Sequence, residues 1–299
     1  MGVLLSRSLT PKPPLAHQLL TGRQITKVRK NYKLLLNVQS GFQYNPLFRS
    51  SQNVYPCKIS KLRDPPGPVT ALASFPGSGN TWIRYLVQQS TGYLTGSIYG
   101  DSALAMAGFH GERIKNGSVI LVKTHEWGDT VRRKFHKAIL LVREPRKALL
   151  AEFNRRFGGH LGYAPQRMFF GNQKKEWQLF LEKQIKVWKE LTLDWLKFNG
   201  PLHIVKYEEL VEHLKDNLLK LIEFLNVSVS NATLSCVLEN KEGFFKRKER
   251  IQKLEIFDTS IKRMIDKHVD TVEKAIWLYQ HGLQKELDNL DTEVAKKTY

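Results

Sequence analysis

The stretch from Val69 to Gln89, VTALASFPGSGNTWIRYLVQQ, constrains the fold of this chain more than any other. Val69 to Phe75 is a mainly apolar run of strand length, Pro76 to Asn80 is rich in turn residues, and from Thr81 onward Trp82, Ile83, Leu86 and Val87 fall on one face of a helix. Strand, glycine turn and helix together make an anion site. Gly77 and Gly79 let successive backbone N–H groups converge on one point, and the helix start adds unpaired donors and the positive end of its dipole. The nucleotide-triphosphatase form of such a loop is G-x-x-x-x-G-K-[ST]; here neither the spacing nor a lysine before Thr81 fits, which argues against ATP or GTP hydrolysis. A glycine turn that merely joins strand to helix is the plainer alternative.

Apolar runs at Ser118–Lys123 (SVILVK), Ala138–Val142 (AILLV) and Leu202–Lys206 supply three further strands. Between and after them come a short helix from Asp129 to Lys134, one from Pro145 closed by Gly158-Gly159, a long amphipathic helix from Glu176 to Phe198, one over Glu208–Leu225 and a last one over Ser260–Tyr279. Trp177, Trp188 and Trp195 recur on one side of the long helix and are expected in the core. Thr91 to Asn116, rich in Gly and Ser, reads as an extended surface segment. Strands alternating with helices predict an α/β fold, a mainly parallel sheet flanked by helices. In such sheets ligands sit at the carboxyl ends of the strands, which collects Phe75–Thr81, Lys123–His125, Arg143 and Tyr207 at one edge.

The net charge of +19 is unevenly spread: residues 1–63 hold eleven Lys or Arg and no acid. We read residues 1–63 as a basic, mostly irregular arm with a short helix around Ile25 to Val38, and residues 64–299 as one folded domain behind the Asp64-Pro65-Pro66-Gly67-Pro68 boundary. A basic excess attracts anions of many kinds and does not select nucleic acid, for which no domain motif is present. The start MGVLLS fits both a loose N-myristoylation pattern and an organellar leader. No run approaches the roughly 18 apolar residues of a membrane span. Cys57 and Cys236 are the two cysteines, paired or free, which rules out a disulfide framework or a cysteine-based metal site.

PGSGNTW resembles the loop PKSGTTW of sulfotransferases, which holds the 5′-phosphate of the sulfate donor PAPS. VKTHEW resembles the family's strand-end element whose histidine deprotonates the acceptor hydroxyl; alone, such a histidine is more often structural. LLVREPRKALLAEF resembles the segment whose arginine grips the donor's 3′-phosphate, and HIVKYEELVEHLKDNLLKLIEFLNV the strand-Tyr-Glu element near the adenine. With GFHGER, LDWLKF and GFFKR these stretches resemble most closely the WSC-domain-containing branch, associated with sulfation of sialic acid, over roughly Asp64 to Tyr279.

The resemblance implies a P-loop-like, PAPS-dependent sulfotransferase fold and a transferase acting on a carbohydrate hydroxyl, on a sialylated glycan in that branch. PAPS is the co-substrate, and neither a metal nor a specific nucleic acid is required. Gly77, Ser78, Gly79, Asn80, Thr81, Trp82, Arg143, Tyr207, Lys246 and Arg247 would bind the donor; His125 and Lys123 would carry the chemistry. Two departures stand out: Gly77 replaces the loop lysine that stabilises the transferring charge, and Ala151 replaces a serine on the 3′-phosphate. Lys123, two residues before His125, is the candidate replacement; the rival is an inactive module that binds PAP or an anionic glycan. The relatives' topology implies a Golgi membrane setting, although no anchor is visible here, and Asn116, Asn226 and Asn231 open glycosylation sequons compatible with a lumen.

Overall fold

The computed structural model describes residues 56–243, 247 and 256–296, with side chains to residue 290. The helix expected around Ile25 to Val38, the rest of the arm before residue 56, and Lys246 lie outside the described residues. In chain order the elements are β1 (Thr70–Ser74), α1 (Asn80–Thr91), β2 (Gly96–Ser97), α2 (Ser102–Met106), β3 (Val122–Thr124), α3 (Asp129–Arg132), β4 (Lys137–Val142) and α4 (Pro145–Gly158). The chain continues through α5 (Arg167–Phe170), α6 (Lys174–Trp195), β5 (Leu202–Lys206), α7 (Tyr207–Glu212), α8 (Leu214–Phe224), α9 (Asn231–Glu239), α10 (Thr259–Gln280) and α11 (Gln284–Lys296).

The strands form one parallel sheet in the order β2-β3-β1-β4-β5. β1 is central, and the chain builds β2 and β3 on one side of it before crossing to β4 and β5 on the other. That reversal of direction puts the carboxyl end of β1 at the switch point, where parallel sheets open a crevice. Side chains alternate across the sheet as the period of two requires. Ala71, Ala73, Leu140 and Val142 join the core containing Trp177, Trp188 and Trp195 of α6, whereas Leu72, Ile139 and Leu141 join Ile83 and Leu86 of α1 and Leu218 of α8. Two alanines at the centre of β1 leave room for the indoles, so the tryptophan stripe is core, as its spacing predicts. Exchanging any one of these buried indoles for alanine removes about 3–5 kcal/mol.

Local chemistry sets the helix that matters most for the site. Pro145 occupies the first turn of α4, and the Glu144 carboxylate accepts from the backbone N–H groups of Arg146 (3.1 Å) and Lys147 (3.0 Å), capping the start.

Three expectations change. Thr91–Asn116 is not an extended surface segment: it contains β2 and α2, and Thr95, Ser97, Leu104 and Phe109 are buried. The reason is Arg84 of α1, itself buried, which pairs with Glu112 at 2.6 Å and donates to the Thr95 hydroxyl at 3.0 Å. The expected helix over Glu208–Leu225 breaks at His213 into α7 and α8, and the Asn217 amide donates to the carbonyls of both Glu209 and His213 across the break at 3.0 Å. The second strand is shorter than SVILVK, though Val119, Ile120 and Leu121 before it remain buried.

Contacts with the domain begin before Asp64. The backbone at Lys61 exchanges hydrogen bonds with Gly92 (3.0 Å) and Leu94 (2.9 Å), and Cys57 is joined to Cys236 of α9 by a disulfide.

The Arg84–Glu112 pair ties the helix behind the glycine turn to the segment carrying Tyr99. Removing one partner from a buried pair strands the other charge. Glu112→Ala is therefore expected to lower stability by about 3–5 kcal/mol in urea unfolding, and Arg84→Met combined with Glu112→Leu to lower it by less than the single change.

Candidate active site

A cleft of about 1190 Å³ opens at the carboxyl edge of the sheet, lined by Gly77, Gly79, Asn80, Thr81 and Trp82 from the turn and α1, Lys123 and His125 after β3, Arg143 after β4 and Tyr207 after β5. Arg247 also reaches it, donating from Nε to Gly162 O at 3.1 Å. The cleft thus brings together all the expected site residues among those described except Ser78. Ser78 is fully buried behind the turn, with its Oγ unpartnered among the described residues. Seven Lys or Arg line the cleft against three Asp or Glu. Such a surface attracts polyanions.

The turn is built as an anion cradle. Gly77 and Gly79 have φ of 82° and 98°, in the left-handed region that L side chains rarely adopt. Gly79 caps α1 without a side-chain bond, and the amides of Trp82 and Ile83 already point back to its carbonyl, which leaves the Asn80 and Thr81 amides at the cleft wall. The Asn80 side chain is spent within the fold, its amide donating to Leu72 O and Ser74 Oγ at 3.2 Å.

Both glycines are also sterically required. A Cβ on Gly79 would lie 2.4 Å from the Tyr207 ring, and one on Gly77 would lie 2.5 Å from Ala148 O and 2.9 Å from Glu152 N, both backbone atoms of α4. Helix α4 therefore lies too close to the turn for any side chain at position 77. The glycine at position 77 is matched to the close packing of α4 in this chain.

Arg143 leans on the turn, donating from Nη1 to Gly77 O at 2.8 Å, with its guanidinium 4.3 Å from the centre of the Tyr207 ring. Its Nε is buried and unpartnered among the described residues. Tyr207 meets Trp82 edge to face, ring centres 5.6 Å apart, and the Trp82 indole N–H donates to Lys241 O at 2.6 Å. Two aromatic walls and a cation flank the glycine turn.

His125 holds a defined tautomer. Its Nδ1 lies 2.7 Å from Ser74 O, an atom that can only accept, so Nδ1 carries the proton and Nε2 keeps its lone pair. Burial, reinforced by the Lys123 charge, pushes the imidazole down to about 3, so it is neutral throughout the physiological range. Burial likewise lowers Lys123 to about 8, with the Arg84 charge adding to the effect. Tyr99 organises both groups: its hydroxyl accepts the His125 backbone N–H at 3.0 Å, its ring stacks on the imidazole at 5.6 Å, and the Lys123 ammonium sits over that ring at 5.6 Å.

Tyr99 was invisible to sequence reasoning, because the Gly- and Ser-rich segment around it carries no period. Glu152, Arg155 and Arg156 of α4 also line the cleft without having been expected there. Burial alone would raise the Glu152 carboxyl, but hydrogen bonds from Arg155 (2.7 and 2.8 Å) and Arg156 (2.8 Å) hold it below its usual range. The position of Arg155, one helical turn beyond Ala151, is the available signal. Asp101 and His160 close one side of the cleft through a 2.8 Å contact. Among the described residues no group of His, Cys, Asp or Glu is placed to hold a metal ion.

A glycine turn at the switch point of a parallel sheet, facing a neutral histidine across a basic cleft, defines a P-loop-like group-transfer domain. The family described as sulfotransferase domain matches residues 68–274. WSCD family members of Aedes aegypti, Drosophila pseudoobscura pseudoobscura and Drosophila melanogaster are 44, 43 and 46% identical to this chain over 209, 219 and 195 residues, 70, 73 and 65% of its length. The chain belongs to the sulfotransferase domain family and, within it, to the WSCD group. The matched region spans 66, 69 and 62% of those relatives' own lengths. Among solved structures, mouse sulfotransferase SULT7A1 complexed with PAP is similar at a TM-score of 0.47 and 17% identity, covering 69% of this chain and 84% of that one. Retinol dehydratase in complex with androsterone and inactive cofactor PAP is similar at 0.45 and 15%, covering 68% and 80%.

The contact between turn and helix gives the first test of the site. Gly77→Ala combines a left-handed backbone with a clash against helix backbone, so it is expected to cost at least about 2 kcal/mol in thermal or urea unfolding. Gly77→Lys is expected to be no more stable and to show no gain in activity, because the ammonium cannot reach the cleft without displacing α4.

Proposed function

We propose that this domain transfers a sulfuryl group from PAPS to a carbohydrate hydroxyl, with a sialylated glycan as acceptor. One observation carries the reading: a neutral His125 with an unprotonated Nε2 lines the same cleft as Lys123 and the glycine turn. The turn amides and the Thr81 hydroxyl bind the 5′-phosphate, Arg143 takes the 3′-phosphate, and Trp82 and Tyr207 flank the adenine. Arg247, and Lys246 beside it in the chain, add phosphate contacts. His125 Nε2 accepts the acceptor hydroxyl's proton as that oxygen bonds to sulfur. The sulfur–oxygen bond to the donor phosphate breaks, and its electron pair leaves with PAP. Lys123 carries positive charge to the transferring group, and positioning supplies much of the remainder.

The rival reading, a module that binds PAP or an anionic glycan without turnover, rests on Gly77. The close packing of α4 gives that glycine a structural cause, which weakens the inference from a missing lysine to lost catalysis. The disulfide between Cys57 and Cys236 favours an oxidising compartment such as the Golgi lumen, and Asn116, Asn226 and Asn231 are all exposed, as glycan attachment requires. Membrane association is proposed from the resemblance alone.

Labelled PAPS offered with a glycan array decides between the readings: label on sialylated glycans supports transfer, and PAP binding without label on any glycan sinks it. If Lys123 stabilises the sulfuryl group, Lys123→Met lowers turnover about 10²- to 10³-fold with PAP affinity nearly unchanged, since PAP lacks that group. His125→Ala lowers turnover about 10²- to 10⁴-fold in the same pattern.

The pH profile adds an independent check. Lys123 must be protonated to act, and it loses its proton as pH rises through about 8. Accordingly kcat/KM is expected to fall roughly tenfold per pH unit above that value, with no acid limb from His125 near 6.5 because its proton is already gone above about 3. Lys123→Arg should carry the alkaline limb to above about pH 10. An unchanged limb in that variant would remove Lys123 from the mechanism.

A further inference from the structure

Helix α4 excludes a cation from position 77, yet it brings another to the same cleft. Ala151 is the α4 side chain that faces the turn, its Cβ 3.2 Å from where a Gly77 Cβ would lie. Arg155 follows four residues later, on the same face one turn along. Glu152 holds it by a two-point clamp, accepting from Nε at 2.7 Å and from Nη2 at 2.8 Å, which leaves the Nη1 edge outside the clamp. The same carboxylate also accepts from Arg156 at 2.8 Å, so two guanidinium groups share one negative charge and the cluster stays cationic. Glu152 itself is 1% exposed, so the carboxylate is fixed in the interior, while the Arg155 side chain it holds is 46% exposed.

Resting on the sulfuryl-transfer reading, we propose that Arg155 is a second catalytic cation, contacting the sulfuryl oxygens in place of the lysine that the α4 packing forbids. In the transfer step the sulfur–oxygen bond to PAP breaks with its electron pair going to the phosphate, the new bond forms to the acceptor oxygen, and the proton passes to His125. Arg155 exchanges no proton in this step and offers only charge and N–H donors to oxygens whose negative charge shifts between ground and transition states. Its position suits that role: it lines the same cleft as Lys123, His125 and Arg247, and its charge adds to the lowering of all three. It also complements Lys123, whose ammonium is partly lost near pH 8, whereas hydrogen bonding to Glu152 holds the Arg155 guanidinium protonated more firmly than usual.

The test uses the whole chain with sulfur-labelled PAPS, measuring PAP affinity by calorimetry and single-turnover loss of label from PAPS in Arg155→Met and Arg155→Lys. The expected result is PAP affinity within about twofold of wild type in both variants, with transfer reduced about 10²-fold or more in Arg155→Met and at least about tenfold faster in Arg155→Lys than in Arg155→Met. Arg155→Met transferring at the wild-type rate overturns the proposal. So does a loss of PAP affinity as large as the loss of rate, or Arg155→Lys as slow as Arg155→Met, since both mark a structural role. An effect confined to the KM of the glycan would make Arg155 an acceptor-binding group and also overturn it. A wild-type chain that binds PAP but never transfers label overturns the underlying reading and this proposal with it.

Discussion

The contact between the backbone of α4 and Gly77 governs the rest of the site. Parallel sheets place helix starts and strand ends at one edge, but how near two such elements approach depends on the side chains between them. Here nothing lies between them. A hydrogen at position 77 and a methyl group at 151 let α4 slide against the turn, and the Glu144 cap and Pro145 set where that helix begins. The approach has two consequences that cannot be separated. It removes the room for a cationic side chain on the turn, and it moves the next turn of α4, with Glu152, Arg155 and Arg156, to the wall of the cleft.

Electrostatics in the cleft follow from that crowding. Several positive charges within a half-buried space repel one another, and the molecule answers in two different ways. Lys123 and His125, at the end of β3, give way: burial and neighbouring cations lower both, leaving a neutral imidazole and an ammonium that titrates at about 8. Arg155 does not give way, because its hydrogen bonds to the buried Glu152 carboxylate raise it, and the same carboxylate accepts from Arg156. A general base needs a lone pair at working pH, and a charge stabiliser needs to keep its proton. One carboxylate on the helix keeps the Arg155 guanidinium fully charged in the same cleft as an imidazole that stays neutral.

The sheet, the glycine turn and the grouping of Gly79, Lys123, His125, Arg143 and Tyr207 at one edge were legible in the sequence, because each depends on local pattern. Apolar runs of strand length, glycines after a strand and a strand-end KTH segment carry that information without reference to distant residues. What the sequence concealed depends on contacts made across the chain. Tyr99 sits in a stretch with no period, folded inward only because Arg84 reaches 28 residues onward to Glu112. At the break at His213 the Asn217 amide adds a second donor to the carbonyls of Glu209 and His213, each of which already accepts the backbone N–H four residues on, a side-chain contact that a helical pattern does not announce. By motif alone Gly77 is a departure from the loop lysine with no visible cause. Its reason lies on α4, more than seventy positions away, where only the packing reveals it.

The same dependence on distant contacts reaches the aromatic side of the cleft. Trp82 is held by its indole N–H on Lys241 O, and the Tyr85 hydroxyl donates to Asn240 O at 2.8 Å, so α1 is tied to the segment that follows α9. Cys236 lies in α9, and its disulfide to Cys57 fastens that helix to the strip of chain running along the sheet edge through Lys61. Closing a loop of this length restricts the unfolded chain, and in the folded one it limits how far α9 can drift from α1. A covalent bond remote from the glycine turn thus braces the Trp82 side of the cleft. The disulfide and the two hydrogen bonds act in series, fixing α9 to the early chain and α1 to the segment after α9.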